Sequence, residues 1–265
     1  MIEPSTSPAG AEQRQTGCVL GLRLDLTTYD GAVARLESMA RSGNVAAVAA
    51  ANTHLAAESA ADPAFATVMQ SFDMVLPDGM PLIWVLRHDG CSITDRVYGP
   101  YFMQRALEHS PATLRHFFFG GTDECLEKLQ QKAVELNPQL QIAGVLSPPF
   151  GAWNEEVTTR MIDAINAAKP DVVWVALGGV KQETWIAKHR HLFQRGVFCA
   201  VGDAFVLVAG MRAYAPAWMQ RAGLTWLFRL IQEPRRLLTR YVRYNSRFVV
   251  ALITERLRGS GTASR

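Results

Sequence analysis

The stretch FDMVLPDGMPLIW, Phe72 to Trp84, decides how this chain is read. Met74 to Leu76 is an apolar run too short for a helix, and Pro77 stops it, so it reads as a buried strand. Gly79 then opens an apolar helical segment from Met80 to Leu86. Asp78 therefore sits at a strand-to-helix turn, the place where an open α/β sheet builds its ligand site. A competing reading makes Asp78 the N-cap of that helix, its carboxylate satisfying orphan amides.

The segments before this turn follow the same pattern. CVLGLRLDL (Cys18 to Leu26) alternates as a strand or short hairpin, and Thr27 or Thr28 caps a helix from Tyr29 to Ala40. VAAVAAAN (Val45 to Asn52) is a strand leading into a polar loop with Asn52, Thr53 and His54, and Asp62-Pro63 starts a further helix. After the turn, Tyr98 to Leu107 is helical. Three strand-glycine-helix junctions follow, at Gly120-Gly121 (capped by Thr122 or Asp123), at Gly178-Gly179 and at Gly202, with a helix capped by Asn154 between the first two. Strands alternating with helices imply a Rossmann-like, mostly parallel sheet with helices on both faces. Glycines and helix N-termini along its carboxyl edge suit a phosphate or diphosphate. Neither GxGxxG nor GxxxxGK[ST] occurs, so the dinucleotide and Walker fingerprints are absent.

Composition narrows the class further. The chain has 265 residues, 49% of them hydrophobic, enough for one sizeable core with an appendage. No apolar run reaches spanning length, and the start lacks the charged and apolar regions of a signal peptide. Four separated cysteines without a CxxC pair suggest neither a disulfide framework nor a zinc site. His189 and His191 lie two apart on a helix and face different ways, as a surface pair does. Trp174 and Trp185 read as core rather than stacking platforms, and Glu183 as a helix cap, with sugar binding the alternative.

The last part of the chain differs. From Arg221 to Arg258 nine arginines stand against Glu233 and Glu255, a local +7; the whole-chain +3 leaves −4 elsewhere. Pro234 starts a helix on which Arg236, Arg240, Arg243 and Arg247 form one stripe, with Leu238, Tyr241, Val242, Phe248 and Val249 on other faces. A basic stripe beside apolar and aromatic residues, with Trp218, Trp226 and Phe228 upstream, suits an anionic membrane surface. The expected organisation is an N-terminal tail (1–16), an α/β core (17–210), a helical membrane-proximal appendage (211–258) and a short tail (259–265). Localisation is expected to be cytoplasmic, peripheral to the inner face of the cell membrane. No nucleic-acid partner is expected, and a homo-oligomer through the appendage's apolar face stays open.

Taken together, VLPDGMPLIW, DRVYG, GGVKQETWI and AWMQRAGLTWLFRLIQEPRRLLTRY resemble the WecG/TagA/CpsF glycosyltransferase family, from about Gly21 to Tyr244. The resemblance implies inverting, metal-independent transfer of an N-acetylmannosamine-type sugar from a UDP donor to a polyprenyl-diphosphate-linked N-acetylglucosamine, in surface polysaccharide synthesis, with no cofactor. It places Asp78 as catalytic base, and Asn52, Arg96 and Gln182 in the substrate site. Arg229, Arg236 and Arg240 fall on appendage arginines that stabilise the leaving group. Thr53 is a nearby hydroxyl, and Gly120, Gly178 and Gly202 are the loop glycines of the three junctions. The chain departs from the family pattern at Ala50 (usually threonine), Tyr101 (aspartate), Val180 (proline), Val206 (aspartate) and Tyr214 (arginine).

The chemistry agrees with this assignment. A sugar hydroxyl needs one carboxylate to accept its proton, and arginine forks can neutralise a departing diphosphate. No DxD sequence is present to bridge a metal to a diphosphate. Two other functions compete: a non-catalytic, membrane-associated assembly subunit on the same fold, and a nicotinamide-dependent oxidoreductase, against which the missing GxGxxG speaks.

Overall fold

A computed structural model describes residues 14–262, without the side chains of 236–237, 239–241 and 258–262. The chain begins with an antiparallel hairpin, β1 (Thr16–Val19) and β2 (Leu22–Asp25), turned at Leu20-Gly21. Six further strands then alternate with helices. They are β3 (Val45–Ala51), β4 (Met74–Pro77), β5 (Arg115–Gly120), β6 (Gln141–Leu146), β7 (Val172–Ala176) and β8 (Gly196–Ala200). Every pairing among these six is parallel, in the order β4-β3-β8-β7-β5-β6. The sheet is the Rossmann-like one that the alternating pattern implies.

Because strand side chains alternate between faces, each strand feeds two cores. On one face Ala49, Val75, Phe119, Val173 and Phe198 pack beneath α2 (Thr53–Ala61), α3 (Pro63–Gln70), α4 (Met80–His88), α7 (Glu155–Ala168) and α8 (Lys181–His189). On the other, Val48, Met74, Leu76, Phe118 and Trp174 pack beneath α1 (Tyr29–Arg41), α5 (Gly99–Glu108), α6 (Asp123–Leu136) and α9 (Ala204–Val208). The caps read from sequence are in place: Thr28, Asp62, Thr122 and Asn154 each accept an amide of the first helical turn. Trp174 and Trp185 are both buried in these cores.

Strand β4, which leads to Asp78, is the edge of the sheet, and several of its outward polar groups are taken. Buried Asp25 accepts the Val75 amide at 2.7 Å and is itself held by Arg14 (2.6 and 2.9 Å) and Arg35 (2.7 Å). Arg35 also donates to the Asp73 carbonyl at 2.8 Å, the Val97 amide to the Pro77 carbonyl at 2.9 Å, and Pro77 has no amide to offer. The hairpin and α1 thus fix the register of the strand that carries the candidate base.

The remainder of the chain is helical: α10 (Ala217–Arg221), α11 (Thr225–Gln232) and the long α12 (Pro234–Thr262). The tail expected at 259–265 starts within this helix, and residues 1–13 and 263–265 lie outside the described residues. Among the described residues, no helix is long and apolar enough to cross a membrane. Replacing Asp25 by Ala strands a buried amide and two guanidiniums, so the urea midpoint is expected to fall by the equivalent of roughly 2–4 kcal/mol. An unchanged midpoint would show that this network does not hold the edge.

Candidate functional site

Three strands bring their carboxyl ends together at the switch in the sheet order. Asn52 follows β3, Asp78 follows β4, and Gly202-Asp203 follows β8. The Asp78 amide donates to the Ala51 carbonyl at 2.8 Å, and its Oδ1 accepts the Gly99 amide at 3.1 Å from the start of α5. The N-cap of α4 is Gly79, without a side-chain bond. Asp78 is therefore not the cap of that helix; its carboxylate faces a cavity instead.

That cavity has a volume of about 1460 Å³ and is lined by Asn52, Thr53, Asp78, Arg96, Gly178, Gly202 and Arg229 among others. It exceeds the ~300–1,000 Å³ typical of a single small-ligand pocket. Burial pushes the Asp78 carboxyl up to about 6, Asp203 adds to the rise, and Arg96, the Gly99 amide and Arg229 pull it down. Arg96 is itself buried, lies over the Tyr98 ring at 4.7 Å, and donates to the Thr225 hydroxyl at 2.8 Å. That bond ties the core arginine to α11.

Asp203 escaped sequence reasoning, although it stands at a strand's carboxyl end just as Asp78 does. It accepts Arg212 at 3.0 Å and also pairs with Arg229, while Arg212 reaches Glu233. The appendage is thus pinned to the sheet by alternating charges, and Arg229 is held over the cavity by a carboxylate of the core. Val206, where the family pattern has aspartate, lines the same cavity as Asp203.

Other expected residues sit differently. Gly120 lies at the end of β5 rather than on the cavity wall: a Cβ there would come 2.4 Å from the Ala176 carbonyl oxygen. Its neighbour Gly121 lines the cavity. Gln182 is buried beneath the wall, accepts the Gly202 amide at 3.2 Å and donates to Glu183 at 2.8 Å. It shapes the Gly202 loop from below. Glu183 caps α8 as expected, its carboxylate accepting the amides of Val180 and of Glu183 itself, but it does so fully buried, and burial pushes its carboxyl up to about 7. The polar loop expected after β3 is absent, because Asn52 caps α2 at once, accepting from His54 at 3.0 Å. Ala50 also lines the cavity, close against Gly99. Val180 has φ 67 and ψ −50, a strained conformation for a β-branched residue, at the entry to α8.

Helix α12 closes the cavity by docking on α2. Thr53 donates its hydroxyl to Asn245 Oδ1 at 3.1 Å, and His54 lies on Tyr244 at 3.6 Å. Phe248 is buried in the core, and Arg247 pairs with Glu58 at 3.7 Å. Arg236 and Arg240 belong to α12, with their side chains outside the described residues. Tyr101 and Tyr214, two positions where the chain departs from the family pattern, stack on each other at 4.8 Å. Among the described residues no group of three or more His, Cys, Asp or Glu is placed to hold a metal ion.

The raised Asp78 carboxyl has a consequence for stability. The fold favours its neutral form, so this preference stabilises fully below the ordinary value of 3.8 and is lost as pH rises through about 6. Asp78→Asn keeps an oxygen for the Gly99 amide and removes the partly buried charge. It is expected to stabilise the protein by roughly 1–3 kcal/mol above pH 7, a gain that fades between pH 6 and 4 in thermal melts. A variant less stable than wild type at pH 8 would show that Arg96 and Arg229 outweigh burial.

Comparison with known proteins agrees with this geometry. The chain matches the model of the glycosyl transferase WecG/TagA/CpsF family over residues 18–262. It is 30% identical over 214 residues, 80% of each chain, to an N-acetylglucosaminyldiphosphoundecaprenol N-acetyl-beta-D-mannosaminyltransferase of Bacillus spizizenii. A Bacillus subtilis protein of the same name is 29% identical over 72% of this chain and 73% of its own. One from Staphylococcus aureus is 23% identical over 83% and 85%. A sheet whose switch point gathers a partly buried carboxyl and two arginines, and a family match that spans nearly the whole chain, lead to one assignment: this protein belongs to the WecG/TagA/CpsF glycosyltransferase family and is a glycosyltransferase.

Proposed function

We propose that the chain transfers an N-acetylmannosamine-type sugar, ManNAc or its uronic acid, from a UDP donor to a polyprenyl-diphosphate-linked N-acetylglucosamine. The reaction inverts the anomeric centre and needs no metal. The observation that carries this reading is Asp78: a partly buried carboxyl at a strand end, raised to about 6, opening on a cavity with Arg96 and Arg229. The names of the similar proteins supply the acceptor and the sugar.

In this mechanism the Asp78 carboxylate accepts the proton of an acceptor hydroxyl while that oxygen bonds to the anomeric carbon of the donor. The bond from that carbon to the diphosphate breaks on the opposite side, and the electron pair leaves with UDP. Arg96 and Arg229 take up the developing charge, with Arg236 and Arg240 assigned to the same task from the appendage. The Gly178 loop supplies backbone amides to the donor, the Gly202 loop, held by Gln182, shapes the wall beside it, and Asn52 and Thr53 supply polar contacts to the sugars. We place this work at the inner face of the cell membrane, to which the net positive charge of the appendage attracts the protein.

Transfer from a panel of UDP-sugars, with EDTA present, tests this directly. One donor is expected to react, and Asp78→Asn to slow turnover by roughly 10²–10⁴-fold while UDP still binds. Strict dependence on an added divalent metal, or wild-type turnover in Asp78→Asn, would overturn the mechanism. The pH profile is a separate check. Activity is expected to fall with acid below about pH 6, where Asp78 takes up its proton. Arg96→Gln removes a charge that favours the carboxylate, so its acid limb should move to higher pH; an unmoved limb assigns the titration to another group.

A further inference from the structure

The cavity continues past the polar groups around Asp78 as a trough between α4 and α12. Trp84 and Val85 line it from α4, and Val249, Leu252, Ile253 and Leu257 line it from α12. Val85 and Leu252 are seated on the core, whereas Trp84, Val249, Ile253 and Leu257 are each more than half exposed. Single exposed apolar residues are ordinary on a protein surface; two facing rows that share a cavity with a charged site are not.

The walls run in the same direction. Helix α4 begins beside Asp78 and ends at Asp89; α12 passes Thr53 at Asn245 and pairs with Asp89 through Arg256. Eleven residues separate the two ends on each wall, about 17 Å of helix, so the trough leads from the Asp78 end to the Asp89–Arg256 ion pair. The ring of Trp84 rests over Gly223, between α10 and α11, where a Cβ would stand 3.0 Å from it. At φ +72 that glycine is also in a backbone conformation other residues resist. The arginines at 243 and 247 lie on the other flank of α12, with Arg247 engaged by Glu58.

We propose that this trough holds the first isoprene units of the acceptor's polyprenyl chain. The inference rests on the transferase reading above and adds the site of the lipid. An acceptor of that class presents a sugar hydroxyl, then a diphosphate, then a branched hydrocarbon. The cavity offers the matching groups: a base at Asp78 with the guanidiniums of Arg96 and Arg229 around the same end, and apolar walls from Trp84 to Leu257 leading away from it. The chain is thereby drawn along the protein, and α12 contributes one wall of the acceptor site.

The test compares two acceptors without vesicles: N-acetylglucosamine diphosphate on a short polyprenol, and the same headgroup on a methyl ester. Wild-type protein is expected to show a KM at least about tenfold lower for the prenyl acceptor. Trp84→Ala and Ile253→Glu should each raise that KM about tenfold and leave kcat/KM for the methyl ester within about twofold. Val134→Glu, an exposed apolar position on α6, should change neither. Equal KM values for the two acceptors in wild type, or equal losses on both in the variants, would overturn the proposal. Loss of binding to anionic phospholipid vesicles in Ile253→Glu, with the KM ratio intact, would also overturn it and assign the rows to the bilayer. If no acceptor is turned over, binding of a polyprenyl monophosphate decides separately. Binding that Ile253→Glu abolishes keeps the trough and removes the transferase reading; no binding removes the trough.

Discussion

The hydrogen bond from the Gly99 amide to Asp78 Oδ1 joins the end of β4 to the start of α5, and the site depends on it. It holds a carboxylate in a place where burial opposes its charge, with Arg96 and Arg229 in opposition to burial. Neither influence alone would give a carboxyl near 6. Burial alone would hold it higher, and the arginines alone would hold it lower and make it a weaker base. Because Arg96 is anchored on Thr225 and Arg229 on Asp203, the balance at Asp78 is set jointly by the sheet and the helices after it.

Sequence periodicity carried the fold well because each strand and each helix declares itself locally. Short apolar runs, capping residues at Thr28, Asp62, Thr122 and Asn154, and the glycine punctuation at the junctions are all i-to-i+4 information. What stayed hidden is tertiary. Nothing in the string GVKQE says that Gln182 turns under the wall to hold the Gly202 amide, or that Glu183 is enclosed. Asp203 could have been found by the argument used for Asp78, a carboxylate at a strand's carboxyl end. It was masked by the glycine beside it, which drew the reading towards backbone amides.

The departures from the family pattern have physical counterparts in this molecule. Tyr101 and Tyr214 stand where an acid and a base are usual, and they meet each other face to face. Gln220 donates to the Tyr101 hydroxyl at 2.9 Å, so the stack also fastens α10 to α5. Ala50 is small where Gly99 approaches, which lets α5 start close enough for its amide to reach Asp78.

The sealed margin at β4 has an effect of a different kind. An open parallel sheet ends in a row of unpaired backbone groups, and such a row invites another chain to add a strand. Here the outward amide of Val75 belongs to Asp25, the outward carbonyls of Asp73 and Pro77 are taken, and Pro77 has no proton to give. The strand that delivers Asp78 therefore offers a poor template for aggregation or strand exchange. The edge that carries the candidate site and the edge most open to strand addition, which coincide by geometry in an open sheet, are kept apart by chemistry, and crowding two copies together is less apt to zip them there.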